Sequence, residues 1–445
     1  MVSGRLRGGF AVPAGAAVLA VLAAWGAARV IAVLRHQPVS RFAWLFLATL
    51  AFLVMQQGLA YLERPRRVNR EQGRALNELN VVVSIPVFNE DPAALRACIT
   101  SLLHQVRLPQ VIHVVDDGSD VDYKTVRVDM AVEALLRDVT LRWERKPNGG
   151  KRSAQALTFG THPIADVFVT CDSDGILDSR ALKELLKPLA DPEVMSVAGI
   201  VHALNNRTTF LARITDLIWV TVQMTTRSAM STLGSVLVNS GPLAAYRAEV
   251  IRGNLGGYTR ETFMGNKVGF SDDSLLTLYA KVKGKTVQQP SAMVFCLMPD
   301  KLSHHLRQYL RWMRGSTIRS VWRVKYLPKT GIAYWMNLLT WFQFVLALLL
   351  FIVIVVINPL HYQASWQVIP WMFGVSILIG YLQGLRYLMY RRSDETTLQR
   401  VTTWLLSPVA TLWAIFVLRH VRLYGMATCR RTGWGTRQAG VEVSL

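Results

Sequence analysis

Four acidic clusters could do chemistry: Asn89-Glu90, Asp116-Asp117, Asp172-Ser173-Asp174 and Asp272-Asp273. Closely spaced carboxylates can share one hard cation with the phosphates of a ligand. A carboxylate beside an attacking hydroxyl can accept its proton. If strand geometry persists through the third cluster, Asp172 and Asp174 point to the same face. Each cluster also has a plainer reading: Asp, Asn and Ser are common turn residues, and Asp at a helix start is often only an N-cap. Two further stretches carry complementary features. Asn148-Gly149-Gly150-Lys151-Arg152 joins glycines, which let a backbone approach phosphates, to two cations, although an ordinary basic turn looks the same. Ser240-Gly241-Pro242-Leu243, followed by Tyr246-Arg247, is a rigid turn and by itself shows nothing more.

The surrounding pattern says what must position these groups. Residues 81–86, 111–115 and 167–170 are short β-branched runs, and each ends at one of the first three clusters. A helix is predicted over 93–105 and another over 274–279, just after Asp272-Asp273. Strands alternating with helices imply a mostly parallel sheet, whose ligands bind beyond the carboxyl ends of the strands. Three polar clusters on one such edge describe a crevice for a nucleotide and a metal. No Gly-x-x-x-x-Gly-Lys-Ser/Thr and no Gly-x-Gly-x-x-Gly follows the first strand, which argues against an NTPase or a dinucleotide enzyme.

Outside this region the chain is apolar. Lys and Arg number 50 against 29 Asp and Glu, a formal charge of +21, yet 51% of residues are hydrophobic and the mean hydropathy is +0.26. Charge and apolarity coexist here because they are segregated. Apolar runs at 10–34 and 42–62 are flanked by Arg5 and Arg7 and by Arg64-Pro65-Arg66-Arg67, and read as a hairpin with both ends in the cytoplasm. Runs at 334–360 and 366–390 read as out and back. A third at 401–424 is basic on both sides and holds Pro408, so it reads as a broken or re-entrant segment. Between 301 and 325, Arg307, Arg311, Arg314, Arg319 and Arg323 alternate with Trp312, Trp322 and aliphatic residues, an interfacial amphipathic pattern; 210–230 is a second candidate. Nucleic acid does not explain the basic excess, because neither zinc-finger spacing nor an RNP-like aromatic motif occurs. The four cysteines are scattered, without metal-like pairing, and fit a reducing, cytosol-facing part.

Taken in order, Pro86-x-x-Asn89-Glu90, Val115-Asp116-Asp117-Gly118-Ser119, Gly150-Lys151-Arg152, Asp172-Ser173-Asp174, Asp272-Asp273 and Gln308-Tyr309-Leu310-Arg311-Trp312 resemble the processive, membrane-embedded inverting glycosyltransferases that make β-linked polysaccharides. Within that family the likeness is greatest to the hyaluronan synthases, through Ser240-Gly241-Pro242-Leu243, Asn254-Leu255-x-x-Tyr258, Thr262-Phe263-x-Gly265 and the closing Trp434-Gly435-Thr436-Arg437. The resemblance covers 81–437. It implies an α/β GT-A-like cytosolic glycosyltransferase domain (80–300) inserted between transmembrane helices. An N-terminal hairpin (1–67) would precede it. Interfacial helices (301–330), a membrane region (334–424) and a cytosolic tail (425–445) would follow, all at the plasma membrane.

The same resemblance implies roles. Asp117 and Lys151 would contact the UDP moiety, with Pro86, Glu90 and Asp116 nearby. Asp172 would face the nucleotide, and Asp174 would hold Mg²⁺ or Mn²⁺. Asp273, beside Asp272, would be the general base. Gln308 and Arg311 would serve the donor, Trp312 would lie under the acceptor sugar, and Trp434 and Arg437 would close over the nucleotide. The implied partners are UDP-GlcNAc, UDP-GlcA, nascent hyaluronan and the bilayer. Two departures stand out: the family's Gly-Asp-Asp-Arg is Ser271-Asp272-Asp273-Ser274 here, and its usual Cys before Ser-Gly-Pro is Asn239. Rival readings are a single-donor, chitin-like synthase and an inactive glycan-binding scaffold.

Overall fold

The computed structural model describes residues 2–6, 11–35, 43–361, 366–433 and 444. Eight strands form one sheet: β1 (Val81–Val87), β2 (Val111–Asp116), β3 (Thr140–Arg145), β4 (Val167–Thr170), β5 (Ile176–Leu177), β6 (Val194–Ala203), β7 (Ala244–Arg247) and β8 (Lys285–Cys296). Their order is β3-β2-β1-β4-β7-β6-β8-β5. β1 lies at the heart of a parallel half, pairing Val82 with Val111 on one side and with Phe168 on the other. The second half departs from the mostly parallel sheet expected from sequence. β7 runs antiparallel to both β4 and β6, and β5 runs antiparallel to β8. The short run Ala244-Ala245-Tyr246-Arg247 carries no mark of direction, which only its tertiary partners set.

Burial explains the β-branched runs. Val81, Val83 and Ile85 point to one face of the sheet, where Leu95, Ile99, Met130 and Leu182 cover them. Val82 and Phe168 point to the other, against Phe159, Tyr258, Leu275 and Leu276. A strand covered on both faces has no reason to alternate with polar residues. The helix Pro92–Leu103 starts at Asp91, whose side chain accepts a hydrogen bond from Ala93 N, with Pro92 in the first turn.

Among the described residues, four helices are long and apolar enough to cross a membrane: Val12–Leu34, Leu45–Leu62, Ile332–His361 and Val368–Met389. A fifth apolar stretch is two helices, Thr397–Leu405 and Ser407–Ala427, bent by 40° where Pro408 enters the second. The first helix packs along the fourth. The N-terminus is tied to the sheet domain as well. Gly4–Leu6 pairs antiparallel with Tyr390–Arg392, and Gly4 N donates to Asp178 Oδ2 at 2.9 Å. The stretch between the third and fourth helices, 362–365, and Arg7 lie outside the described residues.

Stability therefore resides in the covered sheet rather than in every apolar side chain. Ile85 has 0% exposure and Leu135, on the outer face of its helix, 81%. Ile85→Ala should cost about 2–5 kcal/mol and Leu135→Ser less than about 0.5 kcal/mol. Thermal unfolding of the detergent-solubilised chain checks the contrast.

Candidate active site

The carboxyl ends of β2, β1 and β4 lie side by side and bring the first three acidic clusters to one edge. Asn89, at a left-handed φ of 47°, turns the chain there. Its N–H donates to Ser119 Oγ (2.9 Å), and its side-chain oxygen accepts from Asp120 N (2.8 Å). Glu90, 2% exposed, accepts from Ser173 Oγ at 2.6 Å, which ties β1 to the β4 turn. Pro86 lies within β1, opposite Val115. Asp116 accepts from Ser119 N at 2.9 Å and stands 3.5 Å from Arg145 Nε.

Asp117 is committed locally. Its oxygens accept from Gly149 N (3.0 Å), Gly150 N (2.7 Å) and Lys146 Nζ (2.6 Å), and so fold the Lys146–Gly150 loop over the β2 end. That loop releases the chain into the helix Lys151–Thr161, placing Lys151 at its first position. Lys151 Nζ donates to Asp172 Oδ1 at 2.6 Å and stands 3.3 Å from Asp272 Oδ2. One ammonium thus joins the β4 turn to the fourth acidic cluster, about a hundred residues away in sequence. Burial works against the lysine's charge, but Asp172, Asp272 and Asp273 outweigh it and hold its pKa above the ordinary value.

The two aspartates of the β4 turn do not share a strand face. Strand geometry stops at Thr170, and residues 172–175 form a turn closed by Gly175 N donating to Asp172 O at 2.9 Å. Asp172 faces Lys151, and Asp174 is half-buried at the turn. Beneath them Cys98 and Cys171, far apart in sequence, lie 3.7 Å apart.

Asp272 and Asp273 are not in a loop before a helix, as the sequence suggested. They form the first turn of the helix Asp272–Lys283, where unpaired N–H groups favour anions. Their environments differ. Asp272 is buried, yet Lys151 and Arg152 overcome that burial and lower its pKa. Burial and the neighbouring Asp272 push Asp273 up to about 6, and its Oδ1 accepts from Ser274 N at 2.6 Å. A carboxylate poised near neutrality is suited to general-base work. Preceding them, Ser271 sits at φ 62°, a region that disfavours side chains and suits glycine. Its hydroxyl bonds to that of Ser274.

The interfacial pattern forms one helix, Leu302–Tyr326, laid against this site. Gly315 comes so close to Ser271 that an added Cβ would meet the Ser271 Cβ at 2.8 Å. Glu261, which no sequence signal marked, is the hub of the junction. It takes Arg152 (2.6 Å), Arg319 (2.8 Å) and Trp322 Nε1 (2.8 Å), and Arg319 also reaches Ser271 O at 3.4 Å. Further along the helix, Trp312 meets Trp219 of the Phe210–Val222 helix edge-to-face, with ring centroids 4.5 Å apart. The side-chain oxygen of Gln308 is buried with no hydrogen-bond partner among the described residues. Arg311 occupies the next turn of the helix. Downstream, Thr432 O accepts from Gly269 N at 3.3 Å, which brings Thr432 close to Ser271. Trp434 and Arg437 lie outside the described residues.

Among the described residues no three His, Cys, Asp or Glu side chains form a metal cage. The donor set still fits one kind of ion. Mg²⁺ and similar hard cations commonly take one or two protein carboxylates and complete their shell with substrate phosphates and water. Asp174, half-buried at the β4 turn, would be the protein carboxylate in such a shell.

Residues 79–315 match the sequence family described as "Glycosyltransferase like family 2". A hyaluronan synthase from Streptococcus pyogenes is 32% identical over 395 residues, covering 87% of this chain and 89% of the relative. An N-acetylglucosaminyltransferase from Rhizobium meliloti is 33% identical over 239 residues, covering 53% of this chain and 55% of that protein. Among solved structures, a mannosyltransferase from Pyrobaculum calidifontis superposes with a TM-score of 0.52 at 17% identity, covering 90% of this chain and 98% of the other. At that identity the likeness concerns the fold alone, a GT-A-like one.

The contact between Ser271 and Gly315 generates a test. Gly315→Ala should destabilise by about 1–3 kcal/mol through overpacking. Adding Ser271→Gly, which removes the opposing Cβ and the left-handed strain, should recover most of the loss. Thermal unfolding of the two single variants and the double variant measures the coupling, and strictly additive effects would contradict it.

Proposed function

This chain belongs to the hyaluronan synthase-like family 2 glycosyltransferases, and from that premise we propose that it is a hyaluronan synthase. It would transfer GlcNAc and GlcA alternately from UDP-sugars to a growing β-linked chain and pass the polymer outward through its own helices. The proposed site is cytoplasmic and the membrane the plasma membrane. The observation that carries the reading is the Lys151–Asp172–Asp272–Asp273 group. It puts a charged lysine and a near-neutral carboxylate in one crevice at the carboxyl edge of a GT-A-like sheet.

The chemistry follows from those positions. Asp273 accepts the proton of the acceptor hydroxyl as its oxygen attacks the anomeric carbon in line. The bond from that carbon to the diphosphate oxygen breaks, and UDP leaves with the electron pair. Lys151 and Arg311 offset the charge developing on the leaving group. Asp116, Asp117, Pro86 and Glu90 shape the floor under the nucleotide, with Asp172 facing it. Gln308 serves the donor, and Trp312 offers its face to the acceptor sugar. Asp174 would hold Mg²⁺ or Mn²⁺, which when bound neutralises the diphosphate.

A second reading has its own support. The N-acetylglucosaminyltransferase relative at 33% identity fits an enzyme that uses one donor and makes a chitin-like product. Incubating the purified protein with each UDP-sugar singly and then with both decides between them. Polymer is expected only from UDP-GlcNAc and UDP-GlcA together, and polymer from UDP-GlcNAc alone would favour the single-donor reading. UDP release in either case excludes an inactive scaffold.

Three outcomes test the assigned roles. Asp273→Asn should lower kcat by about a hundred-fold or more. Because protonation removes the base, kcat of the unaltered enzyme should fall as pH drops below about 6, with a single-proton limb. Asp174→Ala should leave UDP binding, read by titration calorimetry, insensitive to added Mn²⁺.

A further inference from the structure

The turn 239–241 touches three parts of the site with three successive residues. Asn239 N donates to Thr277 Oγ1 at 2.9 Å, and Thr277 Oγ1 donates to Asp273 O at 2.7 Å. Ser240 Oγ accepts from Arg227 Nη1 at 2.6 Å. At Gly241 a Cβ would stand 3.3 Å from Lys151 Nζ and 3.6 Å from Asp172 Oδ1, so the backbone lies directly against that ion pair.

Arg227 is therefore the side chain that grips this turn from behind. It is 8% exposed and sits at the end of a π-helical turn, Gln223–Arg227, which interrupts the amphipathic helix begun at Phe210. Such turns occur frequently at functional sites. Its guanidinium donates to Gln288 Oε1, Ser240 Oγ, Gly199 O (2.6 Å) and Gln223 Oε1 (2.6 Å), none of them an anion. The negative charge is one step further away. Glu63, the residue after the second apolar helix, accepts from Ser228 Oγ and, at 3.2 Å, from Gln288 Nε2. A dry arginine spread over neutral acceptors on four segments is costly unless its fork is used in full. Four fixed bonds hold the head rigidly.

We propose that Arg227 is a positioning residue for sugar transfer: through Ser240 it presses the 239–241 turn against the Lys151–Asp172 pair and so sets the donor pocket. This rests on the transferase reading for what the pocket binds, but the placement of the turn does not. Replacing Arg227 would strand several buried acceptors and could prevent folding, so the test acts on Ser240. Ser240→Ala deletes only the hydroxyl that the guanidinium reaches. The expected result is a KM for UDP-sugar raised five-fold or more, with kcat within two-fold and the melting temperature unchanged. Ser240→Thr, which keeps the hydroxyl, should restore KM. An unaltered KM in Ser240→Ala, or a loss confined to kcat, overturns the proposal. Hydrogen–deuterium exchange needs no turnover and separates this claim from the functional one. Faster exchange at 239–243 in Ser240→Ala, with the sheet unchanged, supports the positioning role even for a protein of other activity. Unchanged exchange there overturns it.

Discussion

The site depends on one ammonium group. Lys151 bridges Asp172 and Asp272, carboxylates delivered by the β4 turn and by the first turn of the helix Asp272–Lys283. Without a cation between them, like charges at this range repel and raise one another's pKa. With it, Asp272 is held below the ordinary carboxylate range despite its burial. Asp273, one residue further along the helix, is the carboxyl group whose pKa is left near neutrality. The division of labour among the acidic residues thus follows from where one lysine is held.

Holding it is the work of neighbouring segments. Asp117 folds the glycine loop that starts the Lys151 helix. Gly241 lies against the ion pair from the opposite side. Glu261 gathers Arg152, the residue after Lys151, with Arg319 and Trp322 of the interfacial helix. A charged network of this kind is strongly destabilised when one partner is removed, because the others are left buried and unpaired. The membrane-side helices and the catalytic edge are therefore not independent parts. The interfacial helix touches the Asp272–Asp273 turn through Arg319 and Gly315.

Much of this arrangement was legible in the sequence. The three parallel strands were readable as β-branched runs because strands covered on both faces cannot tolerate alternation. Their polar ends were readable because loops beyond a parallel sheet carry the ligand groups. The sequence could not show the reversed direction of β7, since a four-residue run such as Ala244-Ala245-Tyr246-Arg247 carries no mark of its sense. Nor could it show that the turn at 172–175 ends the strand alternation before Asp174, or that the helix begins at Asp272, two residues earlier than its apolar run. Glu261 and Arg227 were invisible. A lone Glu in Arg260-Glu261-Thr262 and a lone Arg in Thr226-Arg227-Ser228 acquire meaning only from partners tens of residues away.

The claim that Lys151 sets the ionisation of the catalytic carboxylates can be tested on one variant. Lys151→Met removes the charge and keeps much of the bulk. The account predicts that the acid limb of residual kcat moves to higher pH by about one unit or more, because Asp273 loses the cation that lowers its pKa. A limb that stays near pH 6, with UDP bound as tightly as before, would contradict it.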